Sequence, residues 1–234
     1  MPSTSPSELT VQWEGDATTT AFVYRAARDP LGAALILGHG AGAGQRSAFM
    51  VDFAHALSAL GVDIVTFNFL YTEQRRRIPD RAPALEACYR AVIKAACFEI
   101  ESARRSLFIG GKSMGGRIAT QVAAAEPSLP LAGLVLLGYP LHPPGRPLER
   151  RDKHLRAIQR PLLFVQGSRD AFGTPEELAP IVAALEPTPT LHVIADADHS
   201  FKLRRKDSAA QVAVYADVQR RIVGWMGSLK SEIQ

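Results

Sequence analysis

Leu107-Phe108-Ile109-Gly110-Gly111-Lys112-Ser113-Met114-Gly115-Gly116 is the stretch that decides the fold of this 234-residue chain. Leu107–Ile109 is a short apolar run of the kind that is buried as a strand, and Met114–Ala125 carries a helical pattern. Ser113 therefore stands at a sharp strand-to-helix turn. Gly111-Lys112-Ser113-Met114-Gly115 fits G-x-S-x-G, in which the turn strains the serine backbone and side chains two positions either side would collide. At the start of a helix, free N–H groups also favour developing negative charge. Gly111-Lys112-Ser113 could end a phosphate-binding loop, G-x-x-x-x-G-K-[ST], but position 106 is Ser106 and 107–109 read as sheet, leaving no loop to cradle a phosphate.

Working outward, four further apolar runs, Ala34–Leu37, Ile64–Phe67, Leu131–Leu137 and Leu162–Val165, match strands buried on both faces of a parallel sheet, and Leu191–Ala195 is a weaker sixth. Helical patterns at Ser47–Leu60, Pro83–Ala103, Pro175–Leu185 and Ala209–Leu229 alternate with them. The expectation is an α/β fold, a mostly parallel sheet with helices on both faces. Leu9–Trp13 and Thr19–Tyr24 alternate as an antiparallel hairpin around Glu14–Ala17, and Met1–Ser7 reads as a flexible polar tail before a single domain over 8–234. In such a sheet ligands bind beyond the carboxyl ends of the strands.

Those strand ends carry the chemistry. Asp170 follows Leu162–Val165 through Gln166-Gly167-Ser168-Arg169, and His199 follows Leu191–Ala195 through Asp196-Ala197-Asp198. Ser113, Asp170 and His199 thus run in the order nucleophile, acid, base, and the gaps hold the elements needed between them. Asp196 and Asp198 compete for the acid's role, but a carboxylate within three positions of the histidine more often fixes the loop. After Ala34–Leu37 comes His39-Gly40-Ala41-Gly42-Ala43-Gly44, a loop able to supply a backbone N–H from Ala41 that joins the Met114 N–H around an oxyanion. Gly38–Ala43 also fits the dinucleotide pattern G-x-G-x-x-A, but Asn68 ends the next strand where that reading needs an acid. His39 is expected to support the loop. Gly40, Gly42, Tyr71, His142 and Phe172 are candidates to wall the pocket.

Together these residues resemble an α/β-hydrolase across nearly the whole chain, closest to small capless members related to dienelactone hydrolases. Gly110–Arg117, Gln166–Gly173 and Asp198–Lys202 resemble the testis-expressed-protein-30-like hydrolases. A serine stands where dienelactone hydrolase itself uses cysteine. The resemblance implies a serine hydrolase of a small ester or thioester with no metal or organic cofactor. Relatives in chromatin-modifying complexes without known catalysis imply the alternative of a scaffold, which an intact Ser113, Asp170 and His199 disfavours.

Composition narrows the rest. The chain is 47% apolar and 21% charged, ordinary for a globular domain, and no apolar run approaches the roughly 18 residues of a membrane span. The first basic residue is Arg25, so the cationic start of a secretory signal is missing and a cytoplasmic setting is expected. Cys88 and Cys97, nine positions apart on one helical pattern, would lie about 13 Å apart, too far for a disulfide. The net charge is +4, and segments 72–82, 141–156 and 202–207 carry +2, +3 and +3. Each follows a strand end, so a positive rim facing an anionic substrate or partner is a further expectation. Aromatic interleaving and a reading helix are missing, so no nucleic acid is expected.

Overall fold

Alternation along the apolar runs builds the layers. In β6 (Leu131–Leu137), Leu134 and Leu136 face one side and Val135 and Leu137 the other, and all four are buried. A strand that is apolar on both faces needs a helical layer on each. The computed structural model describes residues 5–13, 15, 17–27 and 30–231. Residues 1–4 of the expected tail and positions 14 and 16 of the expected turn lie outside them, and Ser7 already pairs as the first residue of β1 (Ser7–Gln12).

Among the described residues eight strands form one sheet in the order β1-β2-β4-β3-β5-β6-β7-β8. They comprise β1, β2 (Thr18–Tyr24), β3 (Ala34–Gly38), β4 (Asp63–Phe67), β5 (Leu107–Lys112), β6, β7 (Leu162–Gly167) and β8 (Thr190–Ile194). β1 and β2 are the expected hairpin. The structure adds an antiparallel pairing of β2 with β4, which welds that hairpin to the parallel strands. From β4 to β8 every neighbouring pair is parallel.

Helices α3 (Ala82–Glu99), α5 (Met114–Ala125) and α6 (Pro175–Val182) bury Val92, Ile118 and Leu178 against one face. Helices α1 (Ala48–Ala59) and α7 (Ser208–Ser231) bury Phe53, Leu57 and Ile222 against the other. The long pattern expected over 83–103 is broken at Ile100, which adopts extended dihedrals (φ −120°, ψ 115°) and buries its side chain completely; α4 (Glu101–Arg105) then restarts. A four-residue α2 (Leu70–Glu73) follows β4. Between β6 and β7 the only regular element among the described residues is a 3-10 turn at Lys153–Ala157, so no cap domain covers the carboxyl edge of the sheet.

Candidate active site

The site begins with a backbone conformation. Ser113 has φ 52° and ψ −116°, a region costing an L-residue about 1–3 kcal/mol. Its N–H donates to Leu137 O at 2.9 Å, and its carbonyl accepts from Arg117 N at 3.1 Å. Glycine is required around it for a measurable reason. A Cβ on Gly111 (φ +152°) would come within 2.2 Å of Gly38 O, and one on Gly115 within 2.1 Å of the same oxygen. β3, β5 and the start of α5 therefore touch backbone to backbone, which lifts the serine side chain above the sheet edge.

His199 and Asp170 approach from the loops after β8 and β7. The Ser113 hydroxyl lies 2.8 Å from His199 Nε2, and His199 Nδ1 lies 2.7 Å from Asp170 Oδ2. Asp170 is completely buried, yet each of its oxygens is satisfied: Oδ1 accepts from Phe172 N–H at 2.8 Å, and Oδ2 from Gln166 Nε2 at 2.8 Å as well as from the imidazole. A buried carboxylate needs such donors, because they replace the hydrogen bonds that water would otherwise make. Phe172 stacks on the imidazole with ring centroids 4.2 Å apart. Asp198 accepts from Ser200 N and Lys202 N and so folds the histidine's own loop, while Asp196 reaches only Arg169, at 3.5 Å. Neither aspartate contacts the imidazole.

The glycine-rich loop forms a turn, with Ala43 N donating to Gly40 O at 3.1 Å, beside the serine: a Cβ on Gly40 would lie 3.6 Å from Ser113 Cβ. Gly40, Ala41, Gly42 and Phe172 line a cleft of roughly 490 Å³ that opens onto Ser113 and His199. Tyr71 and His142 do not line it, which corrects their expected place on the pocket wall, and His39 does not line it either but supports the loop as expected. His39 is buried behind the loop. Its Nε2 accepts from Phe69 N at 3.2 Å, which leaves the proton on Nδ1 to donate to Gly40 O at 2.8 Å. Burial pulls its pKa down to about 4, so it stays neutral and braces the turn. Tyr71 braces the same turn by donating its hydroxyl to Ala41 O at 2.9 Å. His142 is buried between Pro143 O (2.8 Å) and the Glu177 carboxylate (3.2 Å), and its backbone N–H donates to Phe172 O at 3.0 Å.

Lys112 is the participant that motif reading passed over. It is nearly buried, and its ammonium donates to His199 O at 2.5 Å while lying 5.9 and 5.6 Å from the Phe49 and Phe201 ring centroids. Gly138, at the end of β6, makes room for this bond, since a Cβ there would sit 2.9 Å from both Lys112 Nζ and His199 O. Burial lowers the lysine pKa to about 8, opposed by the charges of Asp170 and Asp198. The signal was present in the sequence: a charged side chain at the end of a strand buried on both faces must be put to use.

The three basic segments part company. In the first, Arg76 pairs with Asp80 at 2.6 Å; in the second, Arg150 pairs with Asp152 at 2.9 Å beside a separate hollow. Only 202–207 borders the cleft, through Lys202. His55 lies in α1 against Tyr24, His192 lies in β8, and His154 is held 2.8 Å from Thr120 Oγ1. Both cysteines are free. Among the described residues no cluster of three or more His, Cys, Asp or Glu is placed to hold a metal ion, and no helix is long and apolar enough to cross a membrane.

Residues 31–227 match the family model described as alpha/beta hydrolase domain. Among solved structures, a lidless α/β serine hydrolase from Xanthomonas campestris is 24% identical, with 93% of this chain and 95% of that one covered at a TM-score of 0.71. Dienelactone hydrolase from Anabaena variabilis is 18% identical, with 92% and 96% covered at 0.69. Est1E from Butyrivibrio proteoclasticus, in a structure with ferulic acid bound, is 15% identical, with 92% and 99% covered at 0.70.

Proposed function

The chain belongs to the α/β-hydrolase family, and from that premise we propose that it is a serine hydrolase cleaving a small ester or thioester through an acyl-enzyme on Ser113. The observation that carries this reading is the unbroken hydrogen-bonded chain from Ser113 Oγ through His199 to buried Asp170. His199 Nε2 takes the hydroxyl proton as Ser113 Oγ attacks the carbonyl carbon, while Asp170 holds the tautomer and supports the imidazolium. The oxyanion is received by two N–H groups. Met114, as the first residue of α5, has an N–H with no intrahelical carbonyl to bond, and Ala41 sits on the turn braced by His39 and Tyr71. The proton on Nε2 then goes to the leaving oxygen or sulfur, and water repeats the cycle on the acyl-enzyme.

The absence of a cap and the modest cleft favour small acyl groups, in keeping with the lidless serine hydrolase among the structural neighbours. Labelling with a fluorophosphonate probe tests the reading. The native chain should label covalently, and Ser113→Ala should not, with ester turnover lowered by roughly 10⁶-fold. A folded native chain that does not label would overturn it.

A further inference from the structure

Resting on the serine-hydrolase reading, we propose that the leaving group of the substrate is polyanionic: an ester or thioester of an alcohol or thiol that carries phosphates or carboxylates, seated in the basic groove beside His199. This groove, of about 940 Å³, meets the cleft at Lys202 and Tyr215, which line both. Arg169, Lys202, Arg204, Arg205 and Lys206 line it.

Two observations bear on the charge of the groove. Among the described residues Lys202, Arg204, Arg205 and Lys206 have no carboxylate within ion-pair distance, and of the lining cations only Arg169 has one, in Asp196 at 3.5 Å. The acids of the groove are already engaged: Asp198 accepts from Ser200 N and Lys202 N, and Asp207 caps α7 through Ala209 N and Ala210 N. The positive charge is therefore left for something outside the chain, and Lys112 adds a buried positive charge beneath the same loop.

Mechanism fixes which end of the substrate lies there. With the carbonyl oxygen held between Met114 and Ala41, the leaving atom must face His199 Nε2 to receive its proton. Lys202, three positions beyond His199 on the same loop, lines both the cleft and the groove. In the first step the Ser113 Oγ–carbon bond forms, the carbon–oxygen or carbon–sulfur bond breaks, and His199 protonates the departing atom. Water then releases the carboxylic acid, so no further reactant is needed.

The test compares butyryl-coenzyme A with butyryl-pantetheine, which share the acyl group and the thiol arm and differ in the 3′-phosphoadenosine diphosphate, whose neutral adenosine adds no salt dependence of its own. The readout is the ratio of their kcat/KM values, which does not depend on how much of a variant is folded. The native chain should prefer the phosphorylated ester about tenfold or more at low salt, and the preference should shrink in high salt and in an R204E/R205E double variant. A ratio near one that neither salt nor the variant moves overturns the proposal while leaving the serine-hydrolase reading intact. S-Butyrylglutathione, with carboxylates on the leaving thiol, separates the two anion sources: a preference over butyryl-pantetheine equal to that of the coenzyme A ester assigns the groove to carboxylates as well as phosphates. If Ser113 labels but no thioester turns over, protection of Ser113 from the fluorophosphonate by free coenzyme A in the native chain and not in the variant supports the proposal, and equal labelling rates overturn it. Absence of labelling overturns both readings together.

Discussion

Lys112 does with one bond what a longer loop would otherwise have to do, tying the backbone of His199 to the residue next to Ser113. Lys112→Met keeps the apolar stem between Phe49 and Phe201 and removes the donor together with its charge. The histidine loop should then sample misaligned positions, and kcat should fall roughly 10- to 100-fold with KM little changed. Steady-state kinetics on a neutral ester would check this, and Lys112→Arg should restore part of the loss by supplying a donor again. Ser113, Asp170 and His199 were legible because each directly follows an apolar run, and strand ends converge in a parallel sheet. The directions of Tyr71 and His142 were not, because a side chain beyond a strand end points into the cleft or behind it according to what packs there. For Tyr71 that is Ala41 O, thirty positions away.

At the scale of elements, the elbow between β5 and α5 is a contact of backbones. Gly115→Ala would drive a methyl to 2.1 Å from Gly38 O and 2.8 Å from Gly38 Cα, with no flexible side chain to give way. It should destabilise by about 3 kcal/mol or more, or prevent folding. Gly224, exposed in the interior of α7 with nothing within 4 Å of its absent Cβ, should respond oppositely: Gly224→Ala should stabilise by about 0.5–1 kcal/mol. Urea unfolding of both variants would separate the two effects. Most elements were readable from period and punctuation, since buried parallel strands are short continuous apolar runs. β8 read weakly because it is the outer strand, with Thr190 and Val193 exposed. The pairing of β2 with β4 had no local signal, being a choice made by the assembled sheet.

Across the whole molecule, acid sensitivity follows from imidazoles kept neutral. Burial holds both His39 and His154 at about 4, below the ordinary 6.5. Between those values the unfolded chain binds protons that the folded chain refuses, so stability should be level above pH 6.5 and fall as pH drops toward 4. Fully buried His39 accounts for roughly 3 kcal/mol and the partly exposed His154 for less. The thermal midpoint should drop by several degrees across that window, and His154→Gln should flatten part of the slope. The order of the strands has one more consequence. The serine rides on a central strand, but the acid and the base ride on β7 and β8, the last two at one margin of the sheet. Margins open in native-state fluctuations that leave the interior closed. Working lifetime on warming is then set by fraying at that border: catalysis should fade several degrees before the far-ultraviolet circular dichroism changes, and amide exchange in β8 should outpace exchange in β5.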